Sequence, residues 1–269
     1  MTALPISYLF VPGNRPERFD KACASGAHAI ILDLEDAVAP EAKQAARDAI
    51  GHWLAARGEE HPPLLVRIND ISTPWFDADL EWLASMGRVG VMLSKAEDGV
   101  TLQRLRSVLP GGSVLVPLIE TARGIGNVRD IAGAPGVQRL AFGTLDYALD
   151  MDLSDDERGL LFPASLLAIE SRLAGLGSPI AGVTPALDDG ARLLADWAFA
   201  RSCGFGAKMC IHPSQVLGLH RAVQPSADEL AWARRVVQAA QDSPGAARVD
   251  GRMVDKPVLL KAQALLARA

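Results

Sequence analysis

The sequence predicts an α/β protein, a (β/α)8 TIM barrel with a carboxyl-terminal helical extension. Short apolar runs alternate with helical patterns through eight successive units. The length of 269 residues suits such a barrel, which typically needs about 250 residues. Charged residues follow several of the apolar runs, as expected where parallel strands open onto a barrel mouth. We therefore assign residues 1–224 to the barrel and residues 225–269 to the extension.

The predicted strands are continuous apolar runs, which are typical of parallel strands buried on both faces. One such run, residues 30–32, precedes Asp33, and another, residues 114–119, precedes Glu120. An open doubly wound sheet is disfavoured because no GxGxxG motif follows the first strand. The strands are predicted at residues 7–11, 29–34, 64–68, 89–93, 113–119, 138–142, 179–183 and 207–211.

The predicted helices follow apolar periodicity together with start and stop residues. The first begins at Pro16 and ends before Gly26, and a long loop separates the sixth strand from a helix that begins at Pro163. The helices of the barrel are predicted at residues 16–25, 40–56, 75–86, 99–109, 127–132, 163–174 and 188–202.

The extension is predicted to contain two helices, residues 228–241 and 256–267, joined by a link through Gly251. The apolar positions of the last helix recur at helical spacing, so it packs against another surface. The extension is therefore either part of the same domain or a lid on a neighbouring subunit.

Composition and charge exclude several classes of protein. The formal net charge of −5 and the absence of a basic, aromatic-rich cluster argue against nucleic-acid binding. No apolar run approaches the length of a membrane span. The three cysteines lack CxxC spacing, which suits a reducing compartment, so we expect a cytoplasmic protein.

Charged residues at the predicted strand ends indicate where an active site lies. They are Glu35, Asp36, Arg67, Lys95, Glu120 and Asp146. Glu120 and Asp146 lie about one strand–helix repeat apart, which places them at the ends of adjacent strands. Neighbouring strands are about 4.8 Å apart, so both carboxylates can bind one ion. Hard oxygen ligands without a nearby histidine favour Mg²⁺ or Mn²⁺. The alternative is that both residues are solvated loop acids or helix caps.

Two further features of the charged set have more than one interpretation. Arg67 interrupts an apolar run, so its guanidinium needs an anion, either Asp33 or Glu35 in a salt bridge or a substrate carboxylate. The adjacent acids Glu35 and Asp36 can raise one another's pKa into a range useful for proton transfer. The same pair can instead cap the helix that begins near Pro40.

Seven segments, in order along nearly the whole chain, resemble the HpcH/HpaI aldolase and citrate lyase beta-subunit (CitE-like) family. They are LFVPGNR at residues 9–15, ILDLEDAV at 31–38, VRIN at 66–69, IETARG at 119–124, FGTLD at 142–146, IHP at 211–213 and GRMVDKP at 251–257. Each segment alone is a weak signal, but seven in register make a chance resemblance improbable.

The resemblance implies a Mg²⁺-dependent TIM-barrel carbon–carbon lyase that cleaves a 3-hydroxyacyl thioester, with coenzyme A or an acyl carrier as the thiol. It assigns the metal to Glu120 and Asp146, substrate contact to Glu120 and carboxylate binding to Arg67. Proton transfer falls to an acid among Glu35, Asp36 and Asp255. In relatives of this kind the residue that matches Asp255 enters a neighbour's active site within a homotrimer.

Coenzyme A recognition has a candidate set of cations after the first strand. Arg15, Arg18 and Lys21 can meet the phosphates of coenzyme A, and the alternative is that they are solvated helix charges. Two segments, Met151-Asp152 and residues 182–187, depart from the usual pattern of the family in regions linked to substrate size and thioester recognition.

Three functions are compatible with the sequence. The first is a lyase acting on malyl-CoA, citramalyl-CoA or a similar thioester, giving acetyl-CoA and a 2-keto acid. The second is the beta subunit of a citrate lyase complex, which requires alpha and gamma subunit partners and a citryl carrier protein. The third is a non-catalytic binding member of the family.

Overall fold

The chain forms a closed barrel of eight parallel strands that pair in chain order, with β1 completing the ring beside β8. This computed structural model describes residues 4–56, 61–154, 157–243 and 247–267. The strands are β1 (Ser7–Pro12), β2 (Ala29–Asp33), β3 (Leu64–Ile68), β4 (Gly90–Leu93), β5 (Leu115–Ile119), β6 (Ala141–Phe142), β7 (Ile180–Ala181) and β8 (Ala207–Cys210). The predicted (β/α)8 TIM barrel with carboxyl-terminal helices is confirmed.

Helices alternate with the strands around the barrel. They are α1 (Phe19–Cys23), α2 (Lys43–Ala56), α3 (Phe76–Ser85), α4 (Gly99–Val108), α5 (Ala122–Gly126), α6 (Val128–Gly133), α7 (Thr144–Asp150), α8 (Arg158–Leu173), α9 (Gly190–Ser202) and α10 (Pro213–Val223). Short 3-10 turns at Pro16–Arg18 and Pro40–Ala42 precede α1 and α2. None of the helices that the structure describes is long and apolar enough to cross a membrane.

The barrel interior is apolar until it reaches the carboxyl ends of the strands. Its core consists of Tyr8, Ala29, Ile31, Leu65, Met92, Val116, Leu118, Ala141, Ile180, Ala207 and Met209. Because alternate side chains of a strand share one face, the same inward register continues to Asp33 on β2, Arg67 on β3 and Glu120 after β5. Asp33 and Arg67 are partners in the strand register. A charged layer therefore lies above the apolar core, at the mouth of the barrel.

Several predictions about local structure were wrong or incomplete, and the short helix α5 was also not among the predicted helices. The predicted long loop after the sixth strand contains α7, which the apolar pattern missed because Leu145 and Leu149 are exposed and only Tyr147 is buried. Helix α8 begins at Arg158 rather than at Pro163, which lies inside it. The eighth unit is completed by α10, for which no helix was predicted.

The chain divides into two compact units, Met1–Leu219 and His220–Ala269. The second contains α11 (Ala227–Asp242), a hairpin of β9 (Arg248–Val249) and β10 (Arg252–Met253), and α12 (Lys256–Leu266). The hairpin occupies the segment predicted as a link through Gly251. Ser226 begins α11 with a capping box, in which its side chain and that of Glu229 bond each other's backbone N–H at 3.1 and 2.8 Å. This unit has its own core of Ala233, Val236, Ala247, Val254 and Ala262.

Candidate active site

Asp33 is the buried anchor of the charged layer. Its carboxylate accepts two hydrogen bonds from Arg67, from Nε and Nη2, both at 2.6 Å. It also accepts the backbone N–H groups of Glu35 at 3.0 Å and Ala37 at 3.1 Å. One side chain thus fixes both the guanidinium and the loop that follows β2.

Arg67 has the salt bridge that the sequence left as one of two alternatives. Its Nη1 lies 2.8 Å from Glu35 Oε2, and the guanidinium stacks over the Phe10 ring at 4.7 Å. Burial alone would lower the pKa of Arg67, but Asp33 and Glu35 outweigh burial and raise it. The guanidinium is therefore permanently charged and is held in place by Asp33 and Glu35. Its contact with substrate stays a prediction.

Glu35 and Asp36 are adjacent acids in different environments. Glu35 is buried, and burial together with the charges of Asp36 and Asp33 raises its pKa, although Arg67 opposes the shift. Asp36 is exposed and lies 4.0 Å from Arg67 Nη1. Neither acid caps the turn at Pro40–Ala42, which lacks a side-chain cap. The capping alternative is wrong, and Glu35 keeps the features of a proton-transfer group.

Glu120 is the most perturbed acid in the charged layer. It is 2% exposed, and burial, with smaller contributions from Glu35 and Asp146, raises its pKa to about 8. Its Oε1 accepts the backbone N–H of Lys95 at 2.8 Å. Gly143 packs directly against it, since a Cβ at this glycine would overlap the Glu120 carboxylate. The glycine in the FGTLD segment therefore makes room for the acid.

The spacing predicted that Asp146 lies at a strand end, and this prediction was wrong. Asp146 lies in the first turn of α7, beyond the short strand β6, where it is half-buried. A second acid of this helix, Asp150, accepts the N–H of Ala122 at 2.7 Å and so ties α7 to the start of α5. Across the described ranges, no three or more His, Cys, Asp or Glu residues form a group that could hold a metal. Asp146 is close enough to Glu120 for its charge to contribute to the raised pKa of Glu120.

Lys95 follows β4 in a left-handed backbone conformation, with φ of 42°. Such a conformation costs a residue other than glycine roughly 1–3 kcal/mol, so it persists where the surroundings enforce it. Its Nζ lies 3.4 Å from Glu35 Oε1. Burial would lower the pKa of Lys95, but the carboxylates of Glu35 and Glu120 outweigh it and raise the pKa.

The sequence did not predict a buried polar network that contacts the segments following β2 and β3. Lys43 Nζ donates to the carbonyls of Leu34 at 2.7 Å and Glu35 at 2.9 Å, and to Asn69 Oδ1 at 2.8 Å. Asn69 in turn donates to Asp79, which pairs with Arg47. The network joins the ends of β2 and β3 to α2 and α3. The only sequence signal for it was Asn69, within the VRIN segment.

The remaining predicted residues lie outside this set of contacts. Arg15, Arg18 and Lys21 are exposed after β1, with Glu17 2.7 Å from Arg15 and 4.0 Å from Arg18. Asp255 belongs to the second unit, where it is exposed and accepts the N–H of Val258 at 3.1 Å as the N-cap of α12. The structure thus brings together Asp33, Glu35, Arg67, Lys95 and Glu120.

The fold and the charged mouth define a (β/α)8-barrel protein with an acid-rich site at the carboxyl ends of its strands. The sequence profile described as HpcH/HpaI aldolase/citrate lyase matches residues 7–213. The chain belongs to this family.

Relatives and solved structures of the family match nearly the full length of the chain. A citrate lyase subunit beta-like protein of Deinococcus radiodurans is 37% identical, with 98% of this chain and 97% of that protein covered. A (3S)-malyl-CoA thioesterase of Cereibacter sphaeroides is 31% identical, covering 98% of this chain and 94% of the relative. The structure of CitE from Mycobacterium tuberculosis in complex with magnesium, acetoacetate and coenzyme A has a TM-score of 0.87 and 34% identity, covering 99% of this chain and 98% of that one.

Proposed function

We propose that this protein is a Mg²⁺-dependent carbon–carbon lyase that cleaves a 3-hydroxyacyl-CoA thioester of the malyl-CoA or citramalyl-CoA type to acetyl-CoA and a 2-keto acid. The observation that carries the proposal is Glu120, a buried carboxylate at the barrel mouth with a pKa raised to about 8. Such a group is costly to ionise unless a cation accompanies it. The magnesium and coenzyme A of the Mycobacterium tuberculosis complex support the same assignment.

The donor set fits Mg²⁺, with Glu120 and Asp146 as the residues that would hold it. Mg²⁺ is commonly bound by one or two carboxylates, with water and substrate oxygens completing its coordination. Glu120 Oε1 accepts one hydrogen bond from Lys95, which leaves Oε2 for a metal. Mn²⁺ has the same preference for oxygen donors. When bound, the ion supplies Lewis-acid stabilisation of the oxygen charge that develops during cleavage.

The protein residues supply orientation and proton transfer. Arg67, fixed by Asp33 and Glu35, orients a substrate carboxylate through its remaining N–H groups. An acid among Glu35, Asp36 and Asp255 takes the proton of the β-hydroxyl, the carbon–carbon bond breaks, and the acetyl thioester enolate takes a proton at carbon. Reactant and products then balance without an oxidant or a reductant.

Coenzyme A recognition is assigned to the exposed cations after β1. Arg15, Arg18 and Lys21 lie near the start of α1, and phosphate groups are recognised by such clusters. A nearby acid, Glu17, pairs with Arg15 and must release it when a phosphate binds.

The assembly is proposed to be a homotrimer in which Asp255 enters the active site of a neighbouring subunit. Its exposure in the second unit leaves the carboxylate open to a partner. A cytoplasmic location also stays a prediction, and none of the three cysteines forms a disulfide.

The proposal is tested by incubating the protein and Mg²⁺ with malyl-CoA, citramalyl-CoA and citryl-CoA. Acetyl-CoA and the matching keto acid are detected by mass spectrometry. A Glu120→Ala/Asp146→Ala double variant with an unchanged circular dichroism spectrum should lose both turnover and calorimetric Mg²⁺ binding.

The products separate the competing functions. Free coenzyme A with the intact hydroxy acid would indicate a thioesterase, and cleavage of citryl-carrier protein alone would indicate a citrate lyase beta subunit. Mg²⁺ and thioester binding without turnover would indicate a non-catalytic member. Any of these three results would reject the proposed reaction.

A further inference from the structure

Lys95 is a charged residue at the barrel mouth. The reaction proposed above assigns it no role. We propose that its ammonium binds the thioester carbonyl oxygen of the substrate and donates a hydrogen bond to it as that oxygen becomes an enolate. This inference rests on the proposed function and adds a catalytic residue to it.

The backbone of Lys95 is held in place by the acid layer itself. Its N–H donates to Glu120 Oε1 at 2.8 Å, and the N–H of Ala96 donates to the Leu118 carbonyl at 3.0 Å. These two contacts hold a lysine in a φ of 42°, a conformation that lysine rarely adopts. Strain of this kind clusters at functional sites, where surrounding structure maintains it.

The side chain reaches across the end of β3, because its Nζ lies 3.4 Å from Glu35 Oε1 beyond β2. That distance is long for a hydrogen bond, and it is the one side-chain contact that Nζ makes with the described residues. An ammonium has three N–H donors. The side chain of Lys95 is 34% exposed, so donors remain available on the open side of the mouth.

The other cations of this region bond mainly to protein acids and carbonyls, and their side chains are less exposed than that of Lys95. Lys43 gives all three of its N–H groups to protein oxygens and is buried. Arg67 makes two 2.6 Å bonds to Asp33 and an ion pair with Glu35, and its side chain is 12% exposed. Of these three cations, Lys95 has the most exposed side chain, and the proposed reaction assigns no other partner to its spare donors.

The proposed reaction needs a hydrogen-bond donor to the thioester oxygen, and Lys95 can provide it. When the carbon–carbon bond breaks, its electron pair moves into the acetyl thioester, and negative charge develops on the thioester oxygen. A fixed cationic donor stabilises that charge without transferring its own proton. The surrounding acids Glu35, Asp36, Glu120 and Asp146 keep the ammonium charged at neutral pH.

The test uses Lys95→Asn and Lys95→Gly, because Asn and Gly adopt positive φ readily and preserve the N–H bond to Glu120. We measure calorimetric binding of acetyl-CoA and of S-ethyl-CoA, a thioether that lacks the carbonyl oxygen. Mg²⁺ affinity, thermal melting and the kcat of thioester cleavage are measured in parallel. Lys95→Arg is the conservative variant.

The wild type should prefer acetyl-CoA to S-ethyl-CoA, and both variants should lose that preference while Mg²⁺ affinity stays unchanged and the melting temperature does not fall. Their kcat should fall by about 100-fold, the typical effect of removing one donor to a developing oxyanion. Lys95→Arg should recover part of the kcat.

The inference is overturned if the variants keep the preference for the carbonyl, or if the wild type has none. It is also overturned if Mg²⁺ affinity falls in step with kcat, which would assign Lys95 to holding Glu120. Absence of wild-type turnover on any thioester would reject the proposed reaction, whereas the binding comparison would still decide whether Lys95 contacts the thioester.

Discussion

Glu120 shows how the barrel surrounds one carboxyl group so that its pKa rises. The apolar core below it and Gly143 beside it exclude water, and the Lys95 N–H fixes one of its oxygens. The result is a carboxyl group that retains its proton near neutral pH in the metal-free protein. Ionisation of Glu120 is therefore linked to stability and, under the proposed function, to metal binding.

We predict that Glu120 makes the metal-free protein less stable as the pH rises. Its pKa is about 8 in the folded protein and near the ordinary value of 4.5 when unfolded. The folded state therefore binds more protons between these values, and the free energy of unfolding falls as the pH rises through that window. Glu120→Gln should melt several degrees above the wild type at pH 9 in EDTA, with no such gain near pH 4.5.

The comparison requires a control at a glutamate away from the site. Glu81→Gln, on the exposed face of α3, should follow the wild type across the pH range. Identical pH profiles for Glu120→Gln and the wild type would mean that Glu120 does not carry the perturbed pKa.

Arg67 has an observed structural contact with Asp33 and a proposed contact with substrate, and a conservative substitution tests both. Arg67→Lys keeps the charge but replaces the bidentate fork on Asp33 by a single ammonium. We expect kcat/KM for the thioester to fall by at least about tenfold, because a point charge also orients a substrate carboxylate less well. Steady-state kinetics and thermal melting are measured on the same preparations.

The control is Arg123→Lys, since this arginine is exposed and lies 3.6 Å from Glu97. A lower melting temperature with unchanged kinetics for Arg67→Lys would assign Arg67 a structural role alone. Reduced kcat/KM with an intact melting curve would support contact with substrate.

The packing of β5 against the loop after β6 can be tested at Gly143. A methyl group at Gly143 would overlap the Glu120 carboxylate, so Gly143→Ala should displace this acid. We expect calorimetric Mg²⁺ affinity to fall by at least about tenfold, an effect comparable with the loss of a contact that orients a metal ligand. Gly133→Ala is the matched control, because a Cβ there meets nothing within 4 Å. Equal Mg²⁺ affinities for both variants would exclude Glu120 as a ligand.

Strands and their charged ends were predictable from the sequence, but the contacts between them were not. Apolar runs ending at Asp33, Arg67 and Glu120 predicted a charged mouth, because parallel strands end on the same side of a barrel. The position of Asp146 depended on α7, whose exposed leucines conceal its periodicity. The backbone N–H of Lys95, a residue with left-handed φ, bonds to Glu120, which follows the next strand, and local propensity does not encode such a contact.

The buried network of Lys43, Asn69 and Asp79 illustrates the same limit. Residue type alone would predict that each of them lies on the surface, because charged and amide side chains are seldom fully buried unless paired. Their burial is possible only because α2, α3 and the ends of β2 and β3 meet around them.

The complete assembly can be tested by mixing two inactive variants. Asp255→Ala chains keep the barrel residues, and Glu120→Ala chains keep Asp255. If Asp255 acts across a subunit interface, mixed oligomers should regain partial activity, because some sites combine an intact barrel with an intact Asp255. Native mass spectrometry verifies the mixing, and Mg²⁺ affinity of the Asp255→Ala homo-oligomer should equal that of the wild type.

Verified mixed oligomers that stay inactive would mean that each chain supplies its own Asp255 or that this residue has no catalytic task. Asp255→Ala also removes the N-cap of α12. A cap-retaining Asp255→Asn variant therefore separates loss of the carboxylate charge from loss of the helix cap.

Closure of the barrel affects when this protein can aggregate on heating. Every strand of the ring has a hydrogen-bonded neighbour on both sides, so none offers an unpaired edge to another molecule. Open sheets risk aggregation because such edges template intermolecular pairing. On heating, light scattering should therefore begin only after the ring has opened, and it should never precede the loss of helical circular dichroism.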